Sequence, residues 1–146
     1  MRAAVNAIHF HYLIHRFSFK HRNNLKLFLT SQLKKEQKLV DTINVIFCSD
    51  QYLLKINQEY LQHDFYTDII TFELSPPKAR LVSDIYISIE RVRENAKAYK
   101  VSFTKELHRI IFHGHLHLCG FDDKAPQAKK MMSEKEQDWL ALYFAR

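Results

Sequence analysis

Glycine, proline and cysteine are scarce in this sequence of 146 residues, which contains 2 glycines, 3 prolines and 2 cysteines. The two cysteines, Cys48 and Cys119, are too few for the disulfide framework of a small secreted domain. No apolar run approaches the roughly 20 residues that a membrane-spanning helix needs. Basic residues interrupt the apolar positions near the N-terminus, unlike those of a signal peptide. We therefore expect a cytoplasmic protein of bacterial type that has no membrane partner.

The residues that are abundant favour a single globular domain over residues 1–146. Hydrophobic residues make up 47% of the chain and aromatic residues 13%, which is enough for a sizeable core. We find no repeat, low-complexity segment or linker that would divide the chain. The net charge of +6 can attract a polyanion such as a nucleic acid, although many basic domains bind none.

The chemistry-bearing residues concentrate in the stretch from His113 to Asp123, which also holds both glycines. On a helix, His113 and His117 would lie one turn apart on one face, where both can bind one metal ion. Gly120 can adopt the left-handed conformation that ends a helix. The chain can then turn back and present Asp123, or less readily Asp122, as a third ligand. Two histidines and one carboxylate leave a coordination position open for water, as in catalytic sites.

The alternative is a histidine-rich core helix that ends at a glycine. Gly114 would cost such a helix about 1 kcal/mol relative to alanine, so its small size is expected to be needed there. His115 is two residues from each proposed ligand and is predicted to face away from the metal. Cys119 is also predicted to point off the ligand face. Zinc is the metal that the ligand types favour, with iron(II) as the alternative.

This stretch resembles the YbeY family of bacterial endoribonucleases, whose signature reads His-Gly-x-Leu-His-Leu-x-Gly-Tyr-Asp-His. The matching positions are His113, Gly114, Leu116, His117, Leu118, Gly120 and Asp122. Phe121 replaces the tyrosine, and Asp123 stands where most of the family has a third histidine. The metal ligands implied here are therefore His113, His117 and Asp123. The spacing is also similar to that of metzincin peptidases, but Gly114 replaces the glutamate that serves them as general base.

The resemblance extends to three further blocks: residues 57–60, residues 64–72 and residues 84–88. Leu61 stands where the family often carries an arginine, so the role of that arginine cannot be carried over, and His63 and Arg109 are the candidates for an alternative positive charge. Arg109 precedes His113 by four residues, and we predict that it contacts a substrate phosphate from the same helix face. The alternative is that Arg109 pairs with Glu106, three residues before it.

Three other polar residues of these blocks could support the site or have only capping or sheet roles: Asp68, Thr71 and Asp84. For the function, the resemblance implies a single-strand-specific metallo-endoribonuclease, in which a metal-bound water acts on the phosphodiester. Its implied role is maturation of the 3′ end of 16S ribosomal RNA and ribosome quality control. The implied partners are ribosomal RNA, the small ribosomal subunit and assembly factors.

Two other functions stay open at this point. One is a metallohydrolase of another substrate, such as a peptidase, against which the missing glutamate at Gly114 argues. The other is a non-enzymatic ribosome-associated factor in which the metal stabilises the fold. Basic charge does not separate this factor from the enzyme.

The pattern of apolar residues predicts an α+β fold with a mixed four-stranded sheet and about five helices. The resemblance implies a zincin-like arrangement, in which the helix that carries His113 and His117 packs under the sheet. The predicted strands are residues 5–19, 42–48, 67–74 and 81–88, of which the last two form a hairpin. The predicted helices are residues 25–37 after Asn24, 51–61 after Ser49 and Asp50, 89–99, 105–118 after Thr104, and 126–144 starting at Pro126.

Overall fold

The computed structural model describes residues 6–15 and 17–145. Four strands lie within these ranges: β1 (Ile8–Tyr12), β2 (Val40–Cys48), β3 (Ile69–Glu73) and β4 (Leu81–Ser88). Five helices also have their bounds there: α1 (Arg22–Lys35), α2 (Asp50–Leu61), α3 (Ile89–Tyr99), α4 (Phe103–Leu118) and α5 (Pro126–Phe144). The predicted α+β class is therefore confirmed.

The four strands form one mixed sheet in the order β1-β2-β4-β3. Strands β1, β2 and β4 are parallel, and β3 is antiparallel to β4, which confirms the predicted hairpin. Successive side chains of a strand point to opposite faces of a sheet. Ile85 and Ile87 accordingly enter the main core with helices α1, α3, α4 and α5, whereas Tyr86 joins a smaller cluster under α2. Helix α4, which carries His113 and His117, thus lies on one face of the sheet and α2 on the other.

Two predicted helix starts were wrong by two or three residues. Helix α4 is capped by Ser102, whose side chain accepts a hydrogen bond from the N–H of Lys105 at 3.0 Å, so Thr104 is already inside the helix. Helix α1 begins after His21, a residue with φ 62° and no side-chain cap, instead of after Asn24. Ser102 and Thr104 are both favourable N-cap residues, so the residue types alone could not choose between them. The cap at Ser49 was correct.

The first predicted strand, residues 5–19, is shorter in the structure. Val5 and Arg16 lie outside the described residues, and β1 covers only Ile8–Tyr12. Beyond it, Phe17 and Phe19 pack against Phe47 with ring centroids 5.0 and 5.6 Å away. These aromatic residues alternate with polar ones because they line the core from a loop. Alternation alone could not separate that arrangement from a longer strand.

Gly114 allows helix α4 to lie directly on the sheet. A Cβ atom at this position would be 2.8 Å from Cδ1 of Ile69, 3.1 Å from Cγ2 of Ile85 and 3.3 Å from Oγ1 of Thr71. The expectation that Gly114 is needed for space is therefore confirmed. Within the described ranges, we find no helix that combines the length and apolar character required to cross a bilayer.

Candidate metal centre

Three side chains converge where helix α4 ends. His113 and His117 lie one turn apart on α4, and Asp123 follows in the loop. The Nε2 atoms of the two histidines are 3.1 Å apart, and Oδ2 of Asp123 lies 3.2 Å from the first and 3.5 Å from the second. In a tetrahedral site with bonds of about 2.0–2.1 Å, two ligand atoms lie about 3.3–3.4 Å apart. The three atoms therefore match one face of such a site, which leaves the fourth position open.

The loop that carries Asp123 is set by the end of the helix. Gly120 has φ 99°, in the left-handed region that favours glycine. Its N–H donates to the carbonyl of His117 at 3.0 Å, and the N–H of Phe121 donates to the carbonyl of Leu116 at 3.1 Å. This pair of bonds is a Schellman motif, which reverses the chain after a helix. It returns Asp123 to the histidine face.

Asp122 has a different role from its neighbour. Its Oδ1 accepts hydrogen bonds from the backbone N–H groups of Asp123 and Lys124, at 2.6 and 3.1 Å. The side chain thus stabilises the loop locally and leaves Asp123 to face the histidines. This geometry favours Asp123 over Asp122 as the third ligand.

The second ring nitrogen of His113 is held by Glu136 of helix α5, with Nδ1 and Oε2 2.5 Å apart. A carboxylate can only accept, so Nδ1 carries the proton and Nε2 presents its lone pair toward the other ligands. Glu136 was missed from the sequence. The sequence does contain a signal for this residue: Glu136 is acidic but has the helical spacing of the buried residues Met132, Trp139 and Leu140 on α5.

Arg109 lies behind the metal centre in a chain of buried polar groups. Its Nε and Nη2 donate to the two oxygens of Glu106 at 2.8 and 2.7 Å, and Nη1 donates to Glu136 at 3.0 Å. Asn95 donates to Glu106 and to Asp68, at 3.3 and 3.0 Å. The alternative pairing of Arg109 with Glu106 is therefore present. The phosphate contact stays a prediction.

These contacts shift several pKa values. Burial lowers the pKa of His113, but the hydrogen bond and charge of Glu136, with the charges of Asp123 and Asp68, outweigh it and raise the pKa above its usual value. Burial raises the pKa of Asp68, an effect that the charges of Arg109 and His113 only partly offset. A metal ion that binds His113 must therefore displace a proton that the surrounding carboxylates help to retain.

The three side chains open into a cleft of about 550 Å³ between α4 and the edge strand β3. Asp68, Thr71, His63 and Lys124 also line this cleft. Oγ1 of Thr71 is buried and has no hydrogen-bond partner among the described residues, so the cleft offers a polar atom free for a ligand. Asp84 does not contribute, because it lies on the opposite face of the sheet and accepts a hydrogen bond from Asn44.

The two neighbouring residues that were predicted to face away do so. His115 is fully buried, its Nδ1 donates to the carbonyl of Ile111 at 2.7 Å, and burial lowers its pKa to about 4. Burial, reinforced by the charge of Glu36, raises the pKa of Cys119 to about 12. His115 is enclosed in the core and neither residue lines the cleft, so neither is placed to bind a metal ion with His113 and His117.

Comparison with known proteins gives a consistent family assignment. A family model described as endoribonuclease YbeY matches residues 7–143. The chain is 43% identical to the endoribonuclease YbeY of Cytophaga hutchinsonii over 127 residues, which cover 87% of this chain and 89% of that protein. It is 44% identical to the same-named protein of Flavobacterium psychrophilum over 130 residues, covering 89% and 92%.

A solved structure has a similar fold. The solution structure of a protein from Thermotoga maritima superposes with a TM-score of 0.64 at 28% identity. The superposition covers 94% of this chain and 89% of that chain. The mixed sheet and the placement of the helices are therefore an arrangement found in an experimentally determined relative.

Proposed function

Since this chain belongs to the YbeY family of endoribonucleases, we propose that it is a metal-dependent endoribonuclease that cuts single-stranded segments of ribosomal RNA. The observation that carries the metal dependence is the triangle of 3.1, 3.2 and 3.5 Å between the ligand atoms of His113, His117 and Asp123. The proposed biological role is maturation of the 3′ end of 16S ribosomal RNA with the small ribosomal subunit and its assembly factors, in the cytoplasm.

Zinc is the proposed ion, in preference to iron(II). The separations of 3.1, 3.2 and 3.5 Å between the three ligand atoms are close to the edges of about 3.3–3.4 Å in a tetrahedral site with zinc bond lengths. Two imidazole nitrogens and a carboxylate oxygen also suit zinc. When bound, zinc would supply Lewis-acid stabilisation of charge on the phosphate and would lower the pKa of a water molecule toward 7.

The chain's own residues would hold and orient the reactants. Glu136 keeps the proton of His113 on Nδ1, so Nε2 stays available as a ligand. Lys124 and His63 line the cleft and are placed to attract the phosphates on either side of the cut. Arg109 stays a further predicted phosphate contact, although three of its nitrogens already donate to carboxylates. An arginine at position 61 is not needed if these groups supply the charge.

The test combines metal analysis with RNA cleavage. Purified protein is expected to contain one zinc per chain and to cut single-stranded RNA faster than the same sequence in a duplex. His117→Ala should lose both zinc and cleavage, whereas the exposed His9→Ala should lose neither. Equal zinc content in wild type and His117→Ala would overturn the proposed ligands. Cleavage of a peptide but not of RNA would favour the peptidase, and zinc-dependent stability without any cleavage would favour the non-enzymatic factor.

A further inference from the structure

The loop that follows helix α2 places two aromatic rings at the cleft of the metal centre. His63 and Phe65 both line this cleft. Their ring centroids are 5.1 Å apart and the planes differ by 20°, so the two rings are stacked. The pair, here called the 63/65 platform, is continuous with the proposed site of cleavage.

The apolar ring of this platform is open to solvent. Phe65 keeps 55% of its surface exposed, although a phenylalanine gains about 1.5–3 kcal/mol when it is buried. The next residue, Tyr66, is accounted for by other contacts: its hydroxyl accepts a hydrogen bond from Gln51, and the guanidinium of Arg91 lies over its ring. Phe65 has only His63 as a ring neighbour among the described residues. Its outer surface is therefore available to a ligand.

The loop is held in place and does not need a ligand to order it. Asn57, a buried residue of α2, accepts a hydrogen bond from the N–H of His63 at 3.1 Å and donates one to the carbonyl of Phe65 at 2.9 Å. Gln58 donates to Asp64 at 2.6 Å. Because both aromatic residues are anchored through their backbone, the platform can bind a flat partner without a large loss of loop entropy.

Charge and shape identify the partner as an unpaired nucleotide. The net charge of +6 attracts a polyanion to the protein, and Lys124 offers a cation in the cleft, where the carboxylates of Asp68, Glu73 and Asp123 would be offset by the bound metal. Every nucleobase has a flat face that stacks on an aromatic side chain, and this interaction tolerates any sequence. A base inside a duplex is already stacked on its neighbours and cannot reach the protein in this way.

We propose that the 63/65 platform stacks one unpaired base of the RNA next to the phosphate that is cut. This inference rests on the proposed function and adds to it the group that selects single strands. Phosphate contacts and the metal would then position the backbone, and the platform would reject a paired base because its stacking surface is hidden.

The test compares Phe65→Ala with RNAs that lack one base. A single-stranded RNA with one cleavage site is made as a series with an abasic nucleotide at each successive position. Zinc-loaded wild type should lose about 5- to 150-fold in kcat/KM for one abasic position, the range expected for one base stacked on an aromatic ring. On the intact RNA, kcat/KM of Phe65→Ala should be lower than that of wild type by a similar factor. On the RNA with the sensitive abasic position, its kcat/KM should fall no further.

Matched variants separate stacking from a structural effect. Phe65→Trp should restore kcat/KM, because it provides another flat ring. Phe144→Ala should cleave like wild type, since Phe144 is 50% exposed and packs on His108 at 5.0 Å but lines no part of this cleft. Zinc content should be unchanged in all three, and the two Phe65 variants should keep the melting temperature of wild type. Undiminished cleavage by Phe65→Ala, or an abasic penalty that persists in it, would overturn the platform.

A failure of the proposed function is recognisable separately, because zinc-loaded wild type would then cut no RNA. The platform is in that case judged by binding of a single-stranded RNA that contains 2-aminopurine, whose fluorescence is quenched by stacking. Quenching by wild type that is lost in Phe65→Ala supports the platform. Equal quenching, or none with either protein, overturns it.

Discussion

At the scale of single residues, Glu136 decides which nitrogen of His113 is available. The carboxylate is buried and shared between His113 and Arg109, which satisfies both of its oxygens. A partner of this kind fixes the orientation of a ligand imidazole and increases its basicity. Its influence on the metal should therefore be large although it does not touch the ion.

We expect Glu136→Gln to weaken zinc binding by about 10- to 100-fold, because the neutral amide keeps the shape of the glutamate but loses its charge. Competition with a zinc-binding dye at constant pH measures this change. Glu134→Gln is the control, since Glu134 is exposed on the same helix. Identical zinc affinities of the two variants would contradict the role given to Glu136.

At the scale of elements, helix α4 is positioned by its contact with the hairpin of β3 and β4. The contact is close because Gly114 has no side chain, and Ile69, Thr71 and Ile85 fill the space in front of it. A shift of α4 away from β3 would widen the cleft and would also move His113, which directly precedes Gly114 in the sequence. The site and the packing of this helix are therefore coupled.

Gly114→Ala should lower the free energy of unfolding by about 1 kcal/mol, because the cost of overpacking exceeds the gain in helix propensity. Urea denaturation provides the measurement. The nearest atom is Cδ1 of Ile69, which Ile69→Val removes. In that background the penalty of Gly114→Ala should shrink, and a penalty of the same size in both backgrounds would show that another contact is responsible.

At the scale of the whole molecule, one buried polar network joins three helices to the start of β3. Arg109 of α4 binds Glu106 of the same helix and Glu136 of α5, and Asn95 of α3 connects Glu106 to Asp68. Burial opposes the charge of Arg109, but the carboxylates of Glu106 and Glu136 raise its pKa above the usual value. The arginine therefore stays charged while it holds the helices around the metal centre.

Arg109→Ala should destabilise the fold by about 3 kcal/mol, which corresponds to a fall in melting temperature of about 6–12 °C. This value is the lower end of the free-energy loss expected when a buried ion pair is broken, because the Arg109 side chain is 22% exposed. The variant loses stability because Glu106 and Glu136 would stay buried without their cation. Thermal denaturation at neutral pH measures the effect.

The same variant tests the phosphate contact through the salt dependence of RNA binding. A residue that only supports the fold leaves the slope of log affinity against log salt unchanged. Lys124→Ala is the comparison, because Lys124 lines the cleft and its loss should flatten the slope by about 0.7. A comparable flattening in Arg109→Ala would show that its guanidinium contacts phosphate despite its carboxylate partners.

The features that the sequence determined by itself are local. The spacing of His113 and His117 places them on one helix face through the pitch of the α-helix, and Gly120 ends that helix because a left-handed φ favours glycine. The same kind of argument predicted the hairpin and the α+β class. Such features depend on backbone geometry within a few residues, so they can be predicted without knowledge of the packing.

Other features were decided only by the tertiary structure. Glu136 is 23 residues from its partner His113, and only the packing of α5 on α4 makes its charge part of the metal centre. The packing of α4 on the face of Ile85 and Ile87 left Asp84 on the face away from the cleft, while Asp68 lines the cleft. A charge is retained in the interior only beside a compensating partner, and which partner is near depends on how distant elements pack.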